Sequence, residues 1–197
     1  MIKGALYYKN ETGDRQQDQS FELLSNRVQT FGAEFYFEKV FYNYIKYSFS
    51  NSFIDQKAFI GDGQYNGTSH LKYFVKTFVQ YNNPSLFSLS LVYFARPGTF
   101  INTVDRAEYN SDLDLYYPIF SSDYFNQQLP AYNRFDVSFS KFFRGKKLSV
   151  ATFVSLNNVF NTSNARRPIY SRDYSAVSYD SYQFRTLYFG CVWYLKN

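Results

Sequence analysis

The sequence predicts an all-β protein, an antiparallel up-and-down transmembrane β-barrel segment of about eight long strands. Three observations lead there: an aromatic-rich composition, a period-two alternation of apolar and polar residues, and connections that alternate between short and long. The chain of 197 residues carries 23 Phe and 21 Tyr. Such rings favour pleated, half-buried surfaces. Yet hydrophobic content is only 45% and mean hydropathy is -0.41. A water-soluble fold would have to hide 44 rings (23 + 21). A barrel whose strands meet lipid on one face and a wet lumen on the other has no such difficulty.

The alternation is clearest near the end of the chain. In 147–157, Leu148, Val150, Thr152, Val154 and Leu156 share one face. Ser149, Ala151, Ser155 and Asn157 share the other, with Phe153 an exception among them. In 131–143, Phe135, Val137, Phe139 and Phe143 oppose Arg134, Asp136, Ser138 and Ser140. Residues 71–81 set Leu71, Tyr73, Val75 and Val79 against Lys72, Lys76 and Gln80, and 86–95 set Phe87, Leu89, Leu91 and Tyr93 against Ser88 and Ser90. Upstream, 27–39 sets Phe35 and Phe37 against Glu34 and Glu38, and 43–54 sets Ile45, Tyr47 and Phe49 against Lys46, Ser48 and Ser50. Residues 2–9 form a weaker strand. In the last, 183–195, Leu187, Phe189, Cys191, Trp193 and Leu195 are expected to meet lipid, with Thr186, Tyr188 and Gly190 inside. A side-chain period of two is the mark of a strand with two different environments.

Short turns near 40–43, 82–85 and 144–147 alternate with long polar connections near 10–26, 55–70, 96–130 and 158–182. Outer-membrane barrels have short periplasmic turns and long extracellular loops. Strands of about 10–13 residues suit a tilted membrane crossing, which needs about 9–11, better than a soluble sheet, where about 5–6 is usual. No linker or repeat divides the chain, so 1–197 is read as one unit, the C-terminal portion of a barrel. Met1 to Lys9 lacks the apolar core and cleavage site of a signal peptide, so upstream strands are expected.

The net charge of +5 is scattered, with no basic stripe of the kind that tracks nucleic acid. Cys191 is the single cysteine, and His70, the single histidine, lies in a polar stretch without evident ligand partners. A nucleophile with a placed base would need His70 beside Ser69, and no enzyme is predicted. Asp112-Leu113-Asp114 with Asp123, and the 61–67 run Gly-Asp-Gly-Gln-Tyr-Asn-Gly, offer oxygen ligands without a full calcium-loop set. Solvated loop acids are the favoured reading, and no metal or cofactor is expected.

From residue 129 the chain resembles a known family. Leu129-Pro130-Ala131-Tyr132-Asn133-Arg134-Phe135-Asp136 resembles the stretch with which TonB-dependent outer-membrane receptors re-enter the membrane near their C-terminus. Leu156-Asn157-Asn158-Val159-Phe160-Asn161 is similar to the Asn-Leu-Phe-Asn segment that ends their next strand. Ala95-Arg96-Pro97-Gly98-Thr99 is similar to their Gly-Arg-Pro-Tyr-Thr, departing at Ala95 and Gly98, and Phe189 to Tyr194 resembles a closing strand. The resemblance implies energised uptake of a bulky nutrient across the bacterial outer membrane. The implied partners are outer-membrane lipid, barrel-assembly machinery and, through a plug domain absent here, the energy-coupling complex. The ligand class stays open among siderophore, glycan, peptide and vitamin. A complete small eight-stranded barrel with a structural or adhesive role, and a soluble all-β binding module, are the alternative readings.

Three groups of side chains are the candidate sites. Glu34, Glu38, Lys46, Lys72, Lys76, Arg134 and Asp136 are expected in the lumen, pairing across strands or meeting water. Tyr109, Tyr116, Tyr117, Phe120 and Tyr124 are loop rings that could stack on a sugar or flat ligand, or pack the loop on itself. Tyr132, Trp193 and Tyr194 lie near strand ends, where amphipathic rings favour the membrane interface. Asn157, Asn158 and Asn161 are placed to bond backbone groups where strand gives way to loop.

Overall fold

The structure, a computed structural model, describes residues 1–17 and 23–195, without the side chains of 14–17 and 23–26. It is all-β and antiparallel. The strands are β1 (Ile2–Gln17), β2 (Leu23–Phe41), β3 (Ile45–Ile60), β4 (Gly63–Asn66), β5 (Leu71–Asn83), β6 (Phe87–Arg96), β7 (Phe100–Ile101), β8 (Val104–Asn110), β9 (Leu115–Phe120), β10 (Gln127–Gln128), β11 (Tyr132–Arg144), β12 (Leu148–Asn157), β13 (Ala165–Tyr170), β14 (Val177–Ser181) and β15 (Thr186–Leu195).

One nine-stranded sheet holds the molecule together. Its path runs β1-β2-β3-β5-β6-β11-β12-β15, with β4 added beside β3. Each long strand therefore pairs with the long strands before and after it in the chain, as a meander does. Among the described residues the two end strands, β1 and β15, pair only with β2 and β12. The sheet is open, and both edges present unpaired backbone groups.

The eight long strands match the eight predicted by alternation, but several run further. The stretches at 10–26 and 55–70 are largely strand and not loop: Asn10 to Thr12 pair with Gln29 to Arg27, and Lys57 to Ile60 pair with both β2 and β4. Residues 18–22, the middle of the first predicted loop, lie outside the described residues. The 96–130 and 158–182 connections carry small hairpins of their own, β8 with β9, β13 with β14, and the bridge of β7 to β10. Polar composition hid these extensions, because a strand that leaves the apolar layer no longer alternates.

Register carries the two faces across the whole sheet. Residues directly opposite in an antiparallel pair point to the same side. One row runs Leu187, Leu156, Val137, Leu91, Val79, Tyr47. The next runs from Ile2 through Phe37, Phe49, Thr77 and Tyr93 to Phe135. This apolar face is studded with cross-strand aromatic pairs, Phe31 with Phe53, Phe35 with Phe49, Phe37 with Tyr47 and Phe87 with Phe139, at ring separations of 5.4–6.5 Å. Such pairs each contribute about 0.5–1.5 kcal/mol. The opposite face carries rows such as Tyr188, Ser155, Ser138, Ser90, Gln80, Lys46. Its serines bond each other directly, Ser138 Oγ to Ser155 Oγ at 2.6 Å.

Nothing among the described residues covers the apolar face. Among the described residues the buried apolar side chains are only Val28, Ala58, Ala95 and Leu129. On β15, Leu187, Phe189, Trp193 and Leu195 are 57–82% exposed. An exposed apolar face of this extent marks an interaction surface.

Two exceptions on the polar face have a local cause. Phe153 lies directly opposite Gly190, and a Cβ at that glycine would stand 2.8 Å from the Phe153 ring. Tyr7 covers Gly32 in the same manner. An aromatic ring laid over a cross-strand glycine shields its bare backbone.

The turns explain their own sequences. Tyr42 and Asn43 both have positive φ, 50° and 60°, as a tight turn matched to the sheet twist requires. Asn83 Oδ1 accepts the Ser85 N–H at 3.0 Å, and Asn83 O accepts the Leu86 N–H at 3.0 Å. At the other end, Gly98 passes so close to Leu129 that a Cβ would fall 1.8 Å from its carbonyl oxygen. Leu129 N–H donates to Thr99 O there at 3.0 Å. The glycine at 98 therefore lets the chain leaving β6 run tightly beside the segment entering β11.

Candidate functional site

Two of the open cavities among the described residues gather the charged side chains of the polar face. The larger, about 350 Å³, is lined by Phe74, Phe94, Arg96, Tyr132, Arg134 and Asp136, with Tyr182 closing one side. Strand parity brings these together: Tyr132 pairs with Arg96 and Arg134 with Phe94, so all four point the same way. The second, about 290 Å³, lies among Tyr36, Lys46, Ser48, Ser50, Lys76 and Phe78.

Of the predicted luminal charges, Glu34, Glu38, Lys46, Lys76, Arg134 and Asp136 share this face by register. Lys46 Nζ pairs with Glu38 Oε2 at 2.8 Å, and the Tyr36 hydroxyl donates a short bond to the same carboxylate oxygen. Arg134 Nε donates to Asp136 Oδ1 at 2.8 Å. Lys76 Nζ stands 5.4 Å from the centre of the Phe94 ring, within reach of a cation–π attraction. Lys72 falls in the register shift opposite Ser52 to Ile54, so parity does not place it.

Asp136 belongs to a buried polar staple behind the larger cavity. Its Oδ1 also accepts the Asn158 N–H at 2.8 Å. The Asn158 amide donates to Thr162 O at 3.0 Å and Gln183 O at 3.1 Å, and its Oδ1 accepts the Thr162 N–H at 3.0 Å. Asn158 is 1% exposed and sits at φ 51°, which asparagine tolerates better than most residues. Asn164 bonds both backbone groups of Asn133, at 2.8 and 2.9 Å, and its own carbonyl accepts the Tyr182 N–H at 2.9 Å. Asn161 Oδ1 takes the Arg185 N–H at 2.9 Å. Thus Asn158 and Asn161 bond backbone groups at the strand end as predicted, whereas the Asn157 side chain accepts from the Ser155 hydroxyl at 3.5 Å instead. The staple fixes β11, the β12 exit and the β15 entry to one another, and through Asn164 it seats Tyr182 beside the cavity.

The loop rings divide. Tyr109 and Tyr116 lie opposite each other on the β8–β9 hairpin with centroids 5.0 Å apart. The Tyr109 hydroxyl donates to Asp114 and the Tyr117 hydroxyl to Glu108, both at 2.8 Å. Those bonds raise both phenol pKa values and hold Glu108 below the usual carboxylate range. Phe120 is half-buried opposite Val104, and Tyr124 packs edge-on to Tyr65 at 5.4 Å. Arg172, at the tip of the β13–β14 hairpin, donates to Asp114 O at 2.7 Å and so ties the two hairpin tips together. Asp114 is thereby engaged by Tyr109 and Arg172. Among the described residues no three His, Cys, Asp or Glu side chains converge as a metal site. Nearby, Ser171 and Ser175 hydroxyls and the Ser175 N–H hold the Asp173 carboxyl down at about 2. Of the three strand-end rings, Trp193 lies on the apolar face. Tyr132 and Tyr194 lie on the polar one, against Tyr182 at 5.5 Å and Phe142 at 6.0 Å.

His70, in a stretch read as polar, is packed inward. It is 7% exposed, its Nδ1 lies 3.1 Å from Asp55 Oδ1, and its ring meets Phe100 edge-on at 5.7 Å. Burial lowers its pKa, and Asp55 opposes that shift in part. The imidazole is a packed connector between β3, β5 and β7 and does not front either cavity.

Sequence reasoning missed Arg96, Tyr182, Phe74, Phe94 and Asn164 as parts of the site. Arg96 stood only within a quoted motif, and Tyr182 lay in a predicted loop with no pattern to mark it. Comparison with family models, curated proteins and solved structures finds no match to this chain.

Replacing Asn158 with alanine strips three hydrogen bonds from a buried centre and leaves an alanine at positive φ. The N158A protein is expected to lose about 3–5 kcal/mol, read as a lowered unfolding midpoint in denaturant. For His70 the folded pKa lies below the ordinary value of about 6.5. The unfolded chain then binds the proton more readily, so stability is full above about pH 6.5 and falls as pH drops through that value. Protection factors of the amides over 55–70, which take out the intrinsic pH dependence of exchange, should therefore fall as pH drops below about 6.5, and the H70Q protein should lose this dependence.

Proposed function

We propose that the chain is the C-terminal portion of a β-barrel in a bacterial outer membrane, in a receptor of the TonB-dependent kind. The observation that carries this is the single long-stranded meander with one largely apolar face, uncovered among the described residues, and one polar face. Its shortest main strands have 10 residues. At about 3.4 Å per residue and a tilt of about 45°, such a strand crosses about 24 Å, close to the apolar band of about 25 Å in outer-membrane barrels. Lipid would supply the environment that the apolar face lacks, and the polar face would line a lumen.

On this reading the turns at 42–44, 84–86 and 145–147 are periplasmic, and the β8–β9 and β13–β14 hairpins are extracellular. The open edges at β1 and β15 favour a wall that further strands complete over a self-closed small barrel. In lipid each unpaired backbone group costs several kcal/mol. Closing eight strands on themselves would also force Glu34, Glu38, Lys46 and Lys76 into a narrow packed interior, where unpaired charge is costly. The resemblance of 129–161 to the receptor family's re-entry strands supports energised uptake of a bulky nutrient, with the outer membrane and the assembly machinery as partners.

Cys191 gives the test. It shares its face with Phe189 and Trp193 and is exposed. A polarity-sensitive fluorophore on Cys191 is expected to report an apolar setting in cell envelopes and to resist water-soluble quenchers. A water-quenched signal there would overturn the proposal.

A further inference from the structure

Arg96 is held in an unusual way. Its guanidinium carbon lies 5.2 Å from the centre of the Tyr132 ring and 5.8 Å from that of Tyr182. One nitrogen donates to Pro97 O at 3.3 Å and another to the Tyr182 hydroxyl at 3.3 Å. A guanidinium has five N–H donors, so two bonds leave three available. Among the described residues no carboxylate forms an ion pair with Arg96. The other charges at the cavity do not substitute for one. Asp136 already serves Arg134 and the Asn158 N–H, each at 2.8 Å. Two guanidiniums thus face one committed carboxylate, which leaves an excess of positive charge.

Beyond Arg134 and Asp136, the rest of the lining is aromatic: Phe74, Phe94 and the two tyrosines that grip Arg96. Its volume of about 350 Å³ is that of a small-molecule pocket. Rings offer stacking and edge contacts to a planar body. A guanidinium that keeps several donors in one plane matches a carboxylate in a two-point bond.

We propose that this cavity binds a small planar aromatic carboxylate, its acid group on Arg96 and its ring between Phe94 and the Tyr132–Tyr182 pair. The cavity belongs to the polar face of the sheet and exists whether that face lines a membrane pore or meets solvent. The assignment therefore does not rest on the membrane reading.

The test uses the full protein, purified from whichever cell fraction holds it, in detergent or in buffer accordingly. Equilibrium dialysis compares 2-naphthoate, its neutral counterpart 2-naphthalenemethanol, and cyclohexanecarboxylate. The naphthoate is expected to bind with a Kd of about 1 mM or tighter, and about tenfold tighter than either of the other two. R96Q should erase the preference for naphthoate over the alcohol, and R96K should keep part of it. Y182L should erase the preference for naphthoate over cyclohexanecarboxylate while leaving the charge preference. R96K and Y182L carry the test if R96Q does not fold. No naphthoate binding by the unaltered protein up to about 10 mM, equal binding of naphthoate and alcohol, or unchanged discrimination in the variants would each overturn the proposal. Binding by a protein found in the soluble fraction would contradict the membrane reading alone.

Discussion

The whole structure depends on a period-two pattern locked in register across eight strands. Each antiparallel pair repeats the facing of the last, so an apolar row begun at Leu187 is still apolar at Val79. A slip of one residue in any strand would put its Phe and Leu side chains among the serines and charges. The same lock denies the molecule an ordinary core. Among the described residues no second layer covers the main sheet, so its apolar face has nothing there to pack against. The four buried apolar side chains, Val28, Ala58, Ala95 and Leu129, all lie toward the loop end.

That arrangement divides the stabilising forces between the faces. On the apolar face, cross-strand rings contact one another and leave up to 45% of their surface exposed, area that lipid would take up on the proposed membrane reading. On the polar face, order comes from bonds: the Glu38–Lys46 pair, the Arg134–Asp136 pair and the asparagine staple behind it. The staple sits where β11 begins and β12 and β15 meet loops, so it also sets the larger cavity. Asn164 seats Tyr182, Tyr182 grips Arg96, and the cavity's positive excess follows from backbone geometry two steps away.

Much of this was legible in the sequence. The eight strands, their order and their facing followed from alternation, because each main strand repeats one pattern along its apolar layer. Arg134 and Asp136 were readable as a pair because residues two apart on a strand share a face. The extensions at 10–17 and 55–66 were not readable, since strand beyond the apolar layer is polar on both sides and resembles loop. Phe153 broke the pattern for a reason that needs the partner strand, the opposing Gly190. His70 could not be paired with Asp55 from sequence, because a turn and a short strand separate them in the chain. The cavity was hidden for the same reason: Arg96, Tyr132 and Tyr182 come from three distant segments, and only register and the Asn164 bonds bring them together.

The central claim is that the uncovered face of the sheet is solvated by lipid. It is tested most directly by separating cell envelopes and washing them with concentrated urea, which strips peripheral proteins but leaves lipid-embedded ones. The account predicts that the protein stays with the outer-membrane fraction and enters solution only with detergent. Release by urea, or recovery as a monodisperse protein in detergent-free buffer, would contradict it.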